Sequence, residues 1–172
     1  RVFVIGTGRC GTHTFAAACK HITNYTSAHE SPLPTHAEAW PNHHIEINNR
    51  LCWAPGLIPD ASVIVWLVRD VFAVVESYKK RAGNRLGLRQ LWRCVSQNPN
   101  ATTEEAVWVA YDNCMRIHYA AIGAGPAPHM IDIDGQDLDR AYKLSRFWAA
   151  IGAEGDEGAF LNEFNTRHNA SK

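Results

Sequence analysis

The stretch Val2-Phe3-Val4-Ile5-Gly6-Thr7-Gly8-Arg9-Cys10-Gly11-Thr12-His13-Thr14 decides the fold. Its four apolar residues predict a buried strand of a parallel sheet, because both faces of such a strand are covered. A glycine-rich turn follows, and residues 14–20 predict a helix. A strand, a glycine loop and a helix N-terminus together form an anion site, since the first helical N–H groups point at the ligand. We therefore expect phosphate to bind here.

The loop supplies several groups of the kinds that bind phosphate. Glycines let the backbone approach the ligand closely and adopt positive φ angles. An arginine adds a fixed positive charge, and two threonines add hydroxyl donors. The residues that we expect to contact the ligand are Gly8, Arg9, Cys10, Gly11, Thr12, His13 and Thr14.

The motif alone leaves three interpretations open. A Walker A loop of kinases and ATPases needs Gly-Lys-[Ser/Thr], whereas Gly11 is followed here by Thr12 and His13. A dinucleotide-binding fold needs Gly-x-Gly-x-x-Gly, which this loop satisfies, and an acidic residue about 20 positions later, where Glu30 lies. A glycine turn that binds nothing is the third interpretation.

A second stretch distinguishes among them. Residues 63–81 read Val-Ile-Val-Trp-Leu-Val-Arg-Asp-Val-Phe-Ala-Val-Val-Glu-Ser-Tyr-Lys-Lys-Arg. They predict a strand that ends at Arg69, followed by an amphipathic helix that carries Ser77. Together with Arg-Cys-Gly-Thr-His-Thr after the first strand, this stretch resembles the superfamily of sulfotransferases that use 3′-phosphoadenosine 5′-phosphosulfate (PAPS). The two motifs cover about a fifth of the chain.

The resemblance implies a role for each motif. In that family the first loop binds the 5′-phosphosulfate, and Arg-Asp-Pro with a serine eight positions after the arginine binds the 3′-phosphate. Arg69 and Ser77 have that spacing, although Val71 replaces the usual proline and His13 lies where family members vary. Small residues occupy the position of Cys10 in the family, so a spacer that donates its backbone N–H is favoured over a reactive thiolate there. The resemblance also implies PAPS as the cofactor and no metal.

The general base is predicted at the end of the second strand. Residues 24–29 predict that strand, and prolines end regular structure just after Glu30. Ligands of such sheets bind at the carboxyl ends of the strands, which puts Glu30 on the same rim as the loop. Several sulfotransferase branches carry a glutamate base here and others a histidine. We expect Glu30 to take the acceptor proton, with His29 as the alternative and a merely solvated carboxylate as a third interpretation; Arg9 would stabilise charge on the leaving phosphate.

Composition limits the partners and suggests the compartment. The 17 basic and 17 acidic residues cancel, so no broad positive surface for nucleic acid or membrane is expected. No apolar run approaches the length of a membrane span. Five scattered cysteines without a Cys-x-x-Cys pair favour free thiols in a reducing compartment, hence a cytoplasmic location. The chain starts at its first strand without Met, which leaves a removed signal or anchor open.

The remaining segments complete an expected order of β-α-β-α-β-α-α-β-α. This order predicts an α/β fold in a single domain over residues 1–172, with a mostly parallel sheet of about four to five strands flanked by helices in three P-loop-like layers. Residues 43–53 predict a short helix in a flap beside the acceptor, and the strand at 63–68 is expected at the centre of the sheet. A zinc site from His36, His43, His44 and Glu46 fits no standard ligand spacing.

Two basic regions complete the expected site. Residues 82–100 carry arginines and Trp92, and predict a helix that borders the acceptor pocket. In the family a basic loop after the last helix often covers the adenine and the 3′-phosphate, a role that Arg167 and Lys172 would take. The acceptor is expected to be a small molecule, a carbohydrate or a lipid, and the small size of the chain suggests a homodimer. A small-molecule kinase and a non-catalytic nucleotide-binding module are the alternative functions.

Overall fold

The computed structural model describes residues 1–81 and 96–166. Five parallel strands form one sheet: β1 (Val2–Ile5), β2 (Thr26–His29), β3 (His44–Ile47), β4 (Val63–Val68) and β5 (His129–Asp132). They lie in the order β2-β3-β1-β4-β5, and every adjacent pair is parallel. The predicted α/β class with a parallel sheet is thus confirmed, and all five carboxyl ends meet at one rim.

Helices cover both faces of the sheet and make the predicted three layers. Their bounds are α1 (Thr12–Ala18), α2 (Val71–Arg81), α3 (Thr103–Ala121), α4 (Asp137–Ala150) and α5 (Glu157–Asn165). Helices α1, α4 and α5 bury Phe15, Phe147 and Phe160 on one face. Helices α2 and α3 cover the other face, where Val74 and Trp66 are buried. Burial of these aromatic and aliphatic side chains provides the main driving force for folding.

Helix α3 begins with a reciprocal pair of hydrogen bonds, a capping box. The hydroxyl oxygen of Thr102 accepts the N–H of Glu105 at 3.1 Å, and the Glu105 carboxylate accepts the N–H of Thr102 at 2.7 Å. This reciprocal pair satisfies two backbone donors that a helix end leaves unpaired.

The helix expected over residues 43–53 is wrong. His44–Ile47 form strand β3, and Asn49–Trp53 form a 3-10 helix. Ile45 and Ile47 point into the core with the α1 face, whereas His44, Glu46 and Asn48 are polar yet buried. These polar side chains are buried because they hydrogen-bond to one another and to the backbone. An interior strand is usually apolar, so a polar sequence did not predict a strand between β2 and β1.

The strand at 63–68 is interior but not central. It lies between β1 and β5, and β1 occupies the middle of the sheet. With six residues, it is the longest of the five described strands, and five of these residues are buried. Within residues 1–81 and 96–166, no helix is long and apolar enough to cross a bilayer.

Candidate active site

The loop after β1 has an unusual backbone shape that explains its glycines. Gly8, Arg9 and Gly11 adopt φ angles of 72°, 57° and 84°, in the left-handed region. A Cβ at Gly8 would lie 2.2 Å from the hydroxyl oxygen of Tyr78, which itself donates a hydrogen bond to the Thr7 carbonyl at 3.0 Å. Tyr78 of helix α2 therefore supports the loop through this hydrogen bond. Its hydroxyl leaves space at position 8 for glycine only.

Arg9, Arg69 and Ser77 converge although they are far apart in sequence. The Arg9 Nε donates to the Ser77 hydroxyl oxygen at 3.0 Å, and the Arg69 Nη1 donates to the Arg9 carbonyl at 3.1 Å. Arg69 follows β4 and Ser77 lies on α2, so the parallel order of β1 and β4 brings both to the loop. The two predicted motifs thus form one site.

The segment after β5 adds an acidic partner to this group. Arg69 Nε lies 3.4 Å from the Asp134 carboxylate, and both side chains are partly exposed. Arg140 supports the segment, because its Nη1 donates to the carbonyls of Ile133 and Gly135 at 3.0 Å each. Arg140 also pairs with Asp137. The sequence analysis did not include Asp134, Asp137 or Arg140 in the site. A fourth strand was expected, but the sequence does not show which strand it pairs with in the sheet.

A cavity of about 520 Å³ opens at this rim. The phosphate loop, the end of β4, the segment after β5 and the end of α5 line it. The lining residues are Arg9, Gly11, Thr12, His13, Thr14, Arg69, Ile133, Asp134, Gly135, Asp137, Arg140, Phe164, Asn165 and Thr166. Since pockets for small molecules and cofactors have volumes of about 300–1,000 Å³, this cavity is large enough for such a ligand.

The loop residues divide into groups that face the cavity and groups that fill the core. Phe15 N–H makes the first helical bond of α1, to the Gly11 carbonyl at 2.9 Å, so helix geometry leaves the amides of residues 12–14 for a ligand. Cys10 is fully buried beneath the loop, and burial raises the pKa of its thiol to about 11, which N–H groups of the loop only partly oppose. The raised pKa disfavours a thiolate at Cys10.

The two candidate bases lie beside the loop, on the opposite side from Arg69. The His29 ring packs against the ring of His13 at a tilt of 44°, with centroids 4.1 Å apart, and His13 also lines the cavity. Burial and the neighbouring His13 lower the pKa of His29. Its Nε2 is buried without a hydrogen bond from the described residues. The site therefore holds a largely neutral imidazole next to the phosphate loop.

Glu30 leaves the strand by a sharp turn. Its N–H donates to the Ile47 carbonyl at 2.9 Å, and its φ angle is 55°, which is rare for a residue other than glycine. Its side chain is exposed, in contrast to that of half-buried His29. Neither residue lines the cavity described above, but His29 contacts His13, which does.

Part of the predicted site lies outside the described residues. This holds for Arg167 and Lys172 and for the arginines of residues 82–95. The described residues that precede the first pair, Asn165 and Thr166, do line the cavity. Within the described ranges, no group of three or more histidine, cysteine or acidic side chains is placed to hold a metal ion.

Comparisons with known proteins agree on the fold. No protein-family model matches the chain, and no curated protein matches it by sequence. A sulfotransferase structure from Alicyclobacillus acidocaldarius is similar with a TM-score of 0.55 and 11% identity, over 91% of this chain and 84% of that one. The mouse sulfotransferase SULT7A1, in complex with PAP, is similar with a TM-score of 0.53 and 12% identity, over 95% of this chain and 62% of that one. The chain therefore has the sulfotransferase fold and spans less than two thirds of the mouse protein.

Proposed function

We propose that the chain transfers a sulfuryl group from PAPS to a hydroxyl or amine of a small-molecule, carbohydrate or lipid acceptor. The observation that carries this proposal is the contact of Arg69 with the phosphate loop, through the Arg9 carbonyl at 3.1 Å. One cavity thus has a glycine loop at one side and an arginine from a second strand at another. This arrangement suits a nucleotide with phosphates at two separate positions, and the sulfotransferase fold supports it.

The residues present fit PAPS in kind: Arg9, Arg69 and residues 12–14 line the cavity, and Ser77 accepts a hydrogen bond from Arg9. Arg9 and the amides of residues 12–14 would hold the 5′ side, and Arg69 with Ser77 would hold the 3′-phosphate. Among the described residues, hydrogen bonds engage the Nε and Nη1 of Arg69, so its Nη2 remains for a phosphate oxygen. Charge-assisted hydrogen bonds to arginine are strong and geometrically specific. When bound, PAPS supplies the activated sulfuryl group.

The chain's own residues would then handle the acceptor proton and the developing charge. We assign Glu30 as the general base because its carboxylate is exposed at the rim, whereas His29 Nε2 is buried. Arg9 stabilises negative charge and does not transfer a proton, since a guanidinium stays protonated in proteins. His13 lines the cavity, and His29, the neighbour of Glu30 in sequence, packs against it.

Calorimetric binding tests the proposal. Adenosine 3′,5′-bisphosphate (PAP) is titrated into the wild type, Arg69→Ala and a control, Arg116→Ala, whose side chain lies exposed on α3 and pairs with Asp112. We expect Arg69→Ala to weaken PAP binding by about 10- to 100-fold, as for loss of a charged hydrogen-bond donor. The control variant should bind like the wild type.

The competing functions give different results in the same series. Tighter binding of ATP with Mg²⁺ than of PAP, or PAP affinity independent of Arg69, would contradict the proposal and favour a kinase. PAP binding without transfer of label from ³⁵S-PAPS to a panel of phenols, amines, monosaccharides and sterols would favour a non-catalytic nucleotide-binding module.

A further inference from the structure

A fully buried carboxylate lies next to the turn that carries the candidate base. Glu46 is on β3, and its side chain is 0% exposed. An isolated carboxylate is costly to bury, so buried ones are hydrogen-bonded. Here Oε1 accepts from Ser31 N at 3.0 Å and from Asn48 Nδ2 at 2.9 Å, and Oε2 lies 3.3 Å from His44 Nε2.

The carboxylate of Glu46 is ionised in this setting. Burial acts to raise its pKa, but hydrogen bonds from His44, Asn48 and Ser31 outweigh burial, and the pKa lies below its ordinary value. The ring of Trp40 lies nearly parallel to that of His44, with centroids 6.2 Å apart and an interplanar angle of 15°. An ionised carboxylate only accepts hydrogen bonds, so Glu46 holds donors that point towards it.

Both backbone groups of Ser31 are held by these side chains. Its N–H donates to Glu46, and its carbonyl accepts from Asn48 Nδ2 at 2.9 Å. On the other side, the N–H of Glu30 donates to the Ile47 carbonyl at 2.9 Å. The backbone of Glu30 is thus held before and after its α-carbon by strand β3.

This anchor explains a conformation that Glu30 would not adopt alone. Its φ angle of 55° costs about 1–2 kcal/mol for a residue with a Cβ. Such conformations persist only where the surrounding structure imposes them, and they are concentrated at functional sites. The turn interrupts the alternation of side chains along β2, so that His29 contacts His13 while the Glu30 side chain is exposed.

We propose that Glu46, assisted by Asn48, is a positioning residue that holds Glu30 in its left-handed turn for proton abstraction. This inference rests on the proposed function, because it assigns Glu46 an effect on the base and none on nucleotide binding. The acidic side chain on β3 acts through hydrogen bonds to Ser31, and it does not touch the substrates.

A double-mutant cycle tests the coupling. Single-turnover transfer from ³⁵S-PAPS to the best acceptor of the panel is measured for the wild type, Glu30→Gln, Glu46→Ala and the double variant. We expect Glu46→Ala to lower the transfer rate by about 10- to 100-fold, the effect of misplacing a reacting group, with PAP affinity within about twofold of wild type. In the Glu30→Gln background the same change should cost little, because coupled residues are not additive.

Two variants separate positioning from damage to the fold. Glu46→Gln keeps the oxygen that Ser31 and Asn48 bond, and should restore most of the rate lost in Glu46→Ala. Thr26→Val removes the 2.9 Å contact with His44 Nδ1 at the far end of the network and should leave the rate unchanged. Asn48→Ala loses the bonds to the Ser31 carbonyl and to Glu46, and also the cap that Asn48 Oδ1 provides by accepting from Arg50 N–H. We expect a smaller loss of rate than in Glu46→Ala, and this variant replaces Glu46→Ala if the latter does not fold.

The outcomes distinguish this inference from the proposed function. Additive losses in the cycle, unchanged rates in Glu46→Ala or Asn48→Ala, or a loss of PAP affinity equal to the loss of rate would overturn the positioning role while leaving sulfuryl transfer intact. Full activity of Glu30→Gln would overturn it by removing the base. Absence of any transfer by a wild type that binds PAP is instead the failure of the proposed function, and it overturns the inference with it.

Discussion

The two halves of the rim are built on opposite principles. Around β1, β4 and β5, charged groups remain partly exposed: the side chains of Arg69 and Asp134 are 32% and 45% accessible. Around β2 and β3, the exposed Glu30 adjoins a second carboxylate, Glu46, which is completely buried and accepts a hydrogen bond from the backbone. Exposed arginines can exchange partners when a ligand enters, whereas a buried network maintains one backbone geometry. We therefore interpret the first half as the binding side and the second as the side that positions the chemistry.

The largest effect should come from Glu30, if the second half is the chemical side. We expect Glu30→Gln to lower the transfer rate by about 10²- to 10⁴-fold, the usual contribution of a general base, and to leave PAP affinity unchanged. Rates with ³⁵S-PAPS and calorimetry with PAP measure the two quantities.

Glu38→Gln is the matched control for Glu30. Glu38 is an exposed acid eight residues later that pairs with His36 at 3.5 Å, and its removal should change neither quantity. Equal losses of rate and PAP affinity in Glu30→Gln would show that the two halves of the rim are not separable in function.

The next effect concerns the support of the phosphate loop. Gly8→Ala should destabilise the protein by about 2–4 kcal/mol, because a Cβ meets the Tyr78 hydroxyl at 2.2 Å in addition to adopting a φ of 72°. Gly123 has a φ of 84° with open space around a Cβ, so Gly123→Ala isolates the conformational part, about 1 kcal/mol. Urea unfolding measures both. Equal destabilisation of the two variants would contradict the steric role of Tyr78.

The binding half of the rim was largely predictable from sequence. Its groups are glycines and arginines at spacings that have a chemical meaning, and the parallel order of β1 and β4 follows from apolar runs such as Val63–Val68. The contact of Arg9 with Ser77 was not predicted, because the motifs assign these two residues to different phosphates. Asp134 escaped prediction, because its approach to Arg69 depends on β5 pairing with β4.

The positioning half was not predictable in the same way. Residues 43–53 have a polar pattern that predicted a helix, since the sequence gives no sign that Glu46 and Asn48 are buried and paired. A buried polar network depends on distances between side chains of different strands, which periodicity does not encode. The exposure of Glu30 and burial of His29 depend likewise on a left-handed backbone turn.

A smaller effect should follow from the hydrogen bond under the loop. Tyr78→Phe removes the donor to the Thr7 carbonyl and should cost about 1 kcal/mol of unfolding free energy, with PAP affinity reduced about two- to fivefold. Tyr119→Phe is the control, since Tyr119 is 63% exposed. If Tyr78→Phe left PAP binding and stability as in the control, the loop would not depend on α2 for its shape.

The smallest effect is a pH dependence that belongs to the positioning half. Burial and His13 lower the pKa of His29 below its ordinary value of 6.5, so the unfolded chain binds the proton more readily than the folded one. The contribution of His29 to stability is therefore complete above pH 6.5 and is lost as the pH falls through its folded pKa. His118 and His129 have pKa values lowered by burial and act in the same direction, whereas the lowered pKa of Glu46 matters only below about pH 4.5.

Urea unfolding at about pH 7.5 and about pH 5.5 isolates the histidines, because carboxylates with ordinary or lowered pKa values stay ionised there. We expect the wild type to have a smaller free energy of unfolding at about pH 5.5 than at about pH 7.5. The difference between the two pH values should be smaller in His29→Gln than in the wild type. His36→Gln, on the exposed loop beside Glu38, should retain the wild-type difference. An unchanged difference in His29→Gln would mean that His29 accepts a proton in the folded protein as easily as in water. His29 would then be available as a base despite its contact with His13. The burial of His29 would no longer be a reason to assign the role of base to Glu30.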